Sequence, residues 1–340
     1  MTQFRVRGEK DRIFSKGVKA EIVYAIISKG IPLFRTEGVG DISTISVVVN
    51  KENYELPVIL PEKIQAKLRR VMLENLRREY SKFDAQFKDK IRETAKSLGY
   101  KRTEGEWNCY VAPPQERTSS TDIGMCGYCP SCTILGNITD DSMMNDLNTA
   151  YGIKSRVAHD IAFSLVDYKK AVMELTHNKV ADGVSYTGQS LYSDLHVSPG
   201  VVFIGKSTAY DLTKNEFEVV LDALSGITRL GGGETKYGSV ETRILGVKFS
   251  ERETISSYDI MREIVGKHKG EMMDAEEYVG EVSELLKTKG FTEYSYQVNY
   301  KEAWEDSLDY AGKIREFINV VENRTGGKGK KKGKSSGGEE

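Results

Sequence analysis

The chain has four cysteines, and all of them lie between Cys109 and Cys132. The last three read Cys-Gly-Tyr-Cys-Pro-Ser-Cys. Thiolates at two-residue gaps suit a tight turn around a metal, and four can close one tetrahedral zinc shell. Gly124, Gly127, Pro130 and Gly136 break regular structure around these ligands. The segment has little apolar content, so metal binding would supply its folding free energy. The spacing predicts a structural zinc module over residues 100–136, with Cys109, Cys126, Cys129 and Cys132 as ligands. An iron–sulfur cluster is the rival reading, because Cys-x2-Cys-x2-Cys also opens the bacterial ferredoxin run. In that run a fourth cysteine follows three residues on with proline behind it; glycine stands at position 136 here. Disulfides are a second rival. The N-terminus MTQFRVRGEKDRIF is charged where a secretory signal needs an apolar stretch, which points to a cytoplasmic chain. Cysteines at this spacing are there more often metal ligands than disulfides.

Two other segments have types and spacing suited to phosphate. Arg229-Leu-Gly-Gly-Gly-Glu-Thr-Lys-Tyr-Gly-Ser-Val-Glu241 places Gly231, Gly232 and Gly233 in a row. Such a loop lets backbone N–H groups approach phosphate oxygens, with Lys236 for charge and Tyr237 for stacking. It is neither a P-loop nor a dinucleotide fingerprint. Glycine runs are also common in plain αβ loops. The second segment, "LPVILPEKIQAKLRR", sets Lys63, Lys67 and Arg70 at i, i+4, i+7 just inside a helix N-terminus. Side chains and helix dipole together suit a phosphate backbone, although such a face is usually just solvated.

The elements that position these segments follow from periodicity. Residues 18–28 alternate into a buried strand, and 30–60 read as an irregular connection with a short strand at 44–49. Pro61 opens a helix whose apolar stripe runs to Gly99. Further strands are expected at 156–166, 199–210 and 239–249, with a hairpin over 167–195. A helix from Phe217 ends at Gly231. Strand, helix, strand, hairpin, strand, helix, strand is the α+β, ferredoxin-like order shared with the RNA-recognition fold. The expected core is 1–99 plus 137–250, followed by a helical extension over 251–322. Residues 323–340 (with GGKGKKKGKSSGGEE) read as a disordered basic tail.

Composition limits the function. Apolar content of 39% and charged content of 29% describe a globular protein with a real core. The net charge of −1 requires any nucleic-acid surface to be a local basic face.

Taken together, "LPVILPEKIQAKLRR", "HVSPGVVFIG" and "RLGGGETKYGSVE" resemble the RAMP proteins of CRISPR systems, and among these the backbone subunits of the type I-D effector (Cascade) complex. The resemblance spans roughly residues 15–250. It implies a subunit that polymerises along a guide RNA (crRNA) beside other effector subunits and presents it to target DNA or RNA. The RNA-binding residues expected on this reading are Arg35, Lys63, Lys67, Arg69, Arg70, Arg156, Gly231, Gly232, Gly233, Lys236 and Tyr237. The hairpin would be a thumb bearing Lys179, Tyr186 and Tyr192. Related type III subunits cut RNA with an aspartate after the first strand, and Asp41 occupies a similar place here. One aspartate without a second carboxylate favours a non-catalytic scaffold over a metal-dependent nuclease. A free-standing zinc-containing nucleic-acid binder is a third reading.

Overall fold

The computed structural model describes residues 19–35, 42–111, 124–177 and 192–329. Asp41, Lys179 and Tyr186 therefore lie outside the described residues. In chain order the first elements are β1 (Lys19–Ser28), β2 (Thr44–Val49), β3 (Glu52–Ile59), α1 (Pro61–Ser81), α2 (Ala85–Ser97) and α3 (Pro130–Leu135). Next come β4 (Asn137–Thr139), β5 (Tyr151–Ile153), β6 (Val157–His159), β7 (Ala162–Ser164), α4 (Tyr168–Ala171), β8 (Val172–His177) and β9 (Tyr192–Val197). The chain ends with β10 (Val202–Ala209), α5 (Lys214–Ser225), β11 (Val240–Ser250), α6 (Ser257–His268), α7 (Ala275–Thr288) and α8 (Tyr300–Gly329).

The main sheet runs β11-β1-β10-β7-β3-β2, with β6 also paired to β10, and every pairing is antiparallel. Register decides its faces, because residues directly opposite each other share one face. Tyr24 pairs with Gly205 and Ile22 with Ser207, on the face that packs α1 and α5. Val23 pairs with Lys206 and Glu21 with Thr208, on the other face. That second face is also covered: α6 lies on β7 and β10, and α7 lies on β11. Every residue of β10 is consequently buried, as are all of β1 except Lys19.

Double coverage buries charge, which must then be paired. The Lys206 ammonium bonds Glu253 Oε2 at 2.8 Å and the Ile255 carbonyl at 2.9 Å, with Glu21 and Asp160 at 3.8 Å. Glu21 in turn accepts from the Thr254 amide and hydroxyl, both at 2.8 Å. This cluster pins the start of α6 to the sheet. On the other face Arg156 grips Glu216 with both terminal nitrogens, at 2.9 and 2.7 Å. Glu216 also closes the α5 capping box by accepting the Thr213 amide.

Several expectations need correction. Residues 30–60 are not an irregular connection: β2 and β3 form a hairpin through Asn50 and Lys51, both at positive φ, and β3 joins the main sheet. Pro57 disguised β3, yet β7 pairs only Val58 and Ile59, so its missing N–H falls past the second partner strand. The expected long helix breaks after Ser81, where the Asp84 carboxylate caps α2 by accepting the Phe87 amide at 2.9 Å. The expected strand 156–166 is split into β6 and β7, and the break turns Asp160 toward the Ser257 amide of α6 at 3.1 Å. The helix from Phe217 ends at Gly226, not Gly231. The last helix continues through Gly329 instead of stopping at 322. Residues 330–340 of the expected tail lie outside the described residues. Among the described residues no helix is long and apolar enough to cross a membrane.

The fold also holds a half-buried histidine between sheet and helix. His159 bonds Ser207 Oγ at 2.7 Å and Gln65 Oε1 at 2.6 Å, bridging sheet and α1. Burial pushes it down to about 4. The unfolded chain takes up this proton first as pH falls, so the contribution is complete above the ordinary histidine value and is lost on acidification. Urea titrations should show stability falling by about 3 kcal/mol between pH 6.5 and 4. His159→Gln should flatten that slope. An unchanged slope in the variant would assign the loss to other groups.

Candidate metal centre and nucleic-acid interface

The four cysteine sulfurs all lie within 4.8 Å of one another, and all four residues are buried. Cys109 Sγ stands 3.6 Å from Cys132 Sγ and 3.7 Å from Cys129 Sγ. A zinc ion with bonds of about 2.3 Å needs sulfurs about 3.8 Å apart, so the donor set fits one tetrahedral ion. A multi-iron cluster, with its own bridging sulfides, would need a wider cage. No disulfide links the four. The Cys126 amide donates to Cys109 Sγ, the Cys129 amide to Cys126 Sγ and Trp107 Nε1 to Cys126 Sγ. Such donors stabilise sulfur that carries negative charge. The thiols themselves are driven apart in acidity. Bonds from Cys109, Cys126 and Cys129 hold Cys132 well below the usual thiol range. The bond with Cys126 pushes Cys109 up, and burial pushes Cys129 up. A central divalent cation would relieve this conflict by stabilising all four as thiolates.

Helix α1 holds this centre in place. Arg69 donates to the carbonyls of Ser131, Leu135 and Gly136, at 3.3, 2.7 and 2.6 Å. Two turns on, Arg77 bonds the Cys109 carbonyl at 2.7 Å and lies over the Tyr110 ring. From the other side α8 inserts Trp304, which is fully buried and packs edge-on against Trp107 at 4.9 Å.

The phosphate-type segments converge at one rim of the sheet. Lys67 of α1 bonds both carboxylate oxygens of Glu234 in the glycine loop at 3.1 Å. The loop is pinned to the segment after β1: the Gly232 amide donates to the Leu33 carbonyl at 2.8 Å, and the Ile31 amide donates to the Tyr237 carbonyl at 3.2 Å. Gly231 is obligatory, since its φ is 102° and a Cβ would lie 2.8 Å from the Leu33 carbonyl oxygen. The β8–β9 ribbon joins at its base, where the Val197 amide donates to the Pro32 carbonyl at 3.0 Å and Arg35 meets Asp194 at 3.4 Å. Buried His196 of β9 bonds the Ile31 carbonyl and meets the Tyr237 ring edge-on at 5.0 Å.

The expected residues therefore divide. Lys63, Lys67, Arg70, Gly231, Gly232, Gly233, Lys236, Tyr237 and Arg35 lie on the elements that meet at this rim, and Arg35, Arg70, Gly233 and Lys236 are exposed. Arg69 and Arg156 do not belong with them. The Arg69 donors are spent on the four-cysteine module. Arg156 is 5% exposed, paired with Glu216 and stacked 3.7 Å over Tyr310. Tyr192 is the last β9 partner, opposite His177. Sequence reasoning missed Leu33, His196 and Glu234. Gly30 and Pro32 marked the turn that carries Leu33, and Glu234 stood inside the glycine motif itself.

The Csc2 CRISPR family profile matches residues 4–334. A search of curated proteins returned no match. The crystal structure of Thermofilum pendens Csc2 is similar at 33% identity, covering 94% of each chain with a TM-score of 0.75. A chain of a CRISPR RNA-guided surveillance complex, pre-nicking, is 10% identical over 86% of this chain and 100% of that one, at a TM-score of 0.44. A chain of a type IV-B CRISPR complex is 12% identical over 69% and 93%, at 0.38. The last two scores are too low to support an inference. The profile spans nearly the whole sequence, four-cysteine cluster and glycine loop included, and the Thermofilum structure covers 94% of it; the chain belongs to the Csc2 family, the RAMP backbone subunits of the type I-D CRISPR effector.

Proposed function

We propose that this chain grips the guide RNA of its effector complex at the rim where α1, the glycine loop, residues 29–35 and the β8–β9 base meet. Further copies would repeat the grip along the guide, and the guide would pair with target nucleic acid. The observation that supports this reading is the Lys67–Glu234 contact. It brings together two segments, 167 residues apart, that were each marked as suited to phosphate. The order β1, α1, β6–β7, β10, α5, β11 reads as a ferredoxin-like core, with β2–β3 added at one edge. The RNA-recognition fold binds bases on an open sheet face. Here α6 and α7 cover that face, which moves the binding surface to the rim. The division into core, module at 100–136, thumb hairpin at 167–195 and helical extension is part of the same reading.

We assign zinc to the four-cysteine cage. Elemental analysis of protein purified without added metal should find about one zinc per chain. Cys129→Ser should lower that content and destabilise the protein by several kcal/mol, because metal binding contributes folding free energy. Iron in place of zinc would contradict the assignment.

Reversing the charge of Lys63, Lys67 and Arg70 together should weaken binding of single-stranded RNA. Each lost phosphate contact removes about 0.7 from the slope of log affinity against log salt, so the slope should fall by about two. An unchanged slope in a folded variant would refute this role for α1.

A further inference from the structure

We propose that the Glu234 carboxylate is a phosphate surrogate that occupies Lys67 until the RNA backbone displaces it. This rests on the reading of the rim as a guide-RNA site.

The geometry is that of an exchangeable ligand. Both Glu234 oxygens stand 3.1 Å from the Lys67 ammonium, a two-oxygen presentation that a phosphodiester can reproduce. The side chains are 15% exposed for Lys67 and 32% for Glu234, so the pair is sheltered yet reachable from solvent. The loop does not need this contact to keep its shape. Its backbone is closed by the Lys236 and Tyr237 amides on the Gly233 carbonyl, at 2.9 and 3.1 Å, and by the Gly238 amide on the Glu234 carbonyl at 3.2 Å. The carboxylate can thus rotate away while the loop stays in place.

Other rim cations also meet carboxylates, through single contacts: Lys29 meets Glu241 at 2.7 Å, a carboxylate that Arg243 also holds, and Arg35 meets Asp194 at 3.4 Å. Lys63 and Arg70 differ, because among the described residues neither has an ion-pair partner. On this reading they attract phosphate first, after which Lys67 exchanges its carboxylate for it. The consequence is a subunit that holds RNA weakly one copy at a time. Loading is then favoured where several contacts are made together.

The test titrates the full chain with a labelled single-stranded RNA of guide length, at several salt concentrations. Glu234→Gln keeps the side-chain volume; Glu234→Ala serves if the amide variant folds poorly, as judged by melting. The account predicts about fivefold tighter binding at low salt, and a slope against salt steeper by up to about one. The gain should vanish in a Lys67→Gln background. A gain of equal size in both backgrounds would mean general charge relief and overturn the proposal. Unchanged or weaker binding by Glu234→Gln, with Lys67→Gln still impaired, would overturn it and leave the RNA site standing. Failure of the wild-type chain to bind RNA would remove both.

Discussion

Helix α1 is the constraint on which the rest of the structure depends, because three of its faces do different work. Ile64, Leu68, Val71 and Met72 are buried in the core against the sheet and α5. Gln65, Arg69 and Arg77 hold the cysteine module, and Lys63, Lys67 and Arg70 line the rim. A helix can serve three neighbours only if each takes a stripe at helical spacing, and these stripes do. The Arg69 clamp is the least replaceable part. Its loss would take a donor from three carbonyls, of which Leu135 keeps the Gln65 side-chain amide at 3.3 Å, and an unsatisfied buried acceptor costs about 1–3 kcal/mol. The four-cysteine cluster is thereby linked through one rigid element to the surface that would meet RNA.

Charge is distributed by the same logic. A chain with a net charge of −1 cannot rely on bulk attraction to a polyanion. Its buried cations are tied up structurally, Lys206 beneath α6 and Arg156 beneath Tyr310. Three of its rim cations, Lys29, Arg35 and Lys67, are balanced by carboxylates from neighbouring elements. Copies arrayed side by side would then repel one another little before the guide arrives.

The cysteine cluster was legible in the sequence because three of its thiols sit at two-residue gaps, and short-range spacing survives folding. The strands at 18–28, 199–210 and 239–249 were legible for a similar reason, as period-two alternation or continuous apolar runs mark buried strands. What failed were inferences from charge alone. Arg69 and Arg70 are neighbours in sequence, yet one is half-buried against the cysteine module and the other is exposed; only the rotation of α1 separates them. Pro57 was read as a loop signal because the reach of its partner strand is a tertiary fact. The covering of the second sheet face by α6 and α7 was also hidden, since nothing local to those helices says which surface they seek. Glu234 was passed over beside Lys236 because an anion within a phosphate-type loop has meaning only once Lys67 is placed against it.

The central claim is that RNA lies on the rim and not on the sheet face. Photo-crosslinking of the chain to guide-length RNA, followed by mass spectrometry of the linked peptides, tests this most directly. The account predicts links confined to residues 29–35, 61–70, 192–197 and 229–241 among the described segments. Links concentrated instead on α6 and α7, or on the cysteine module, would contradict it.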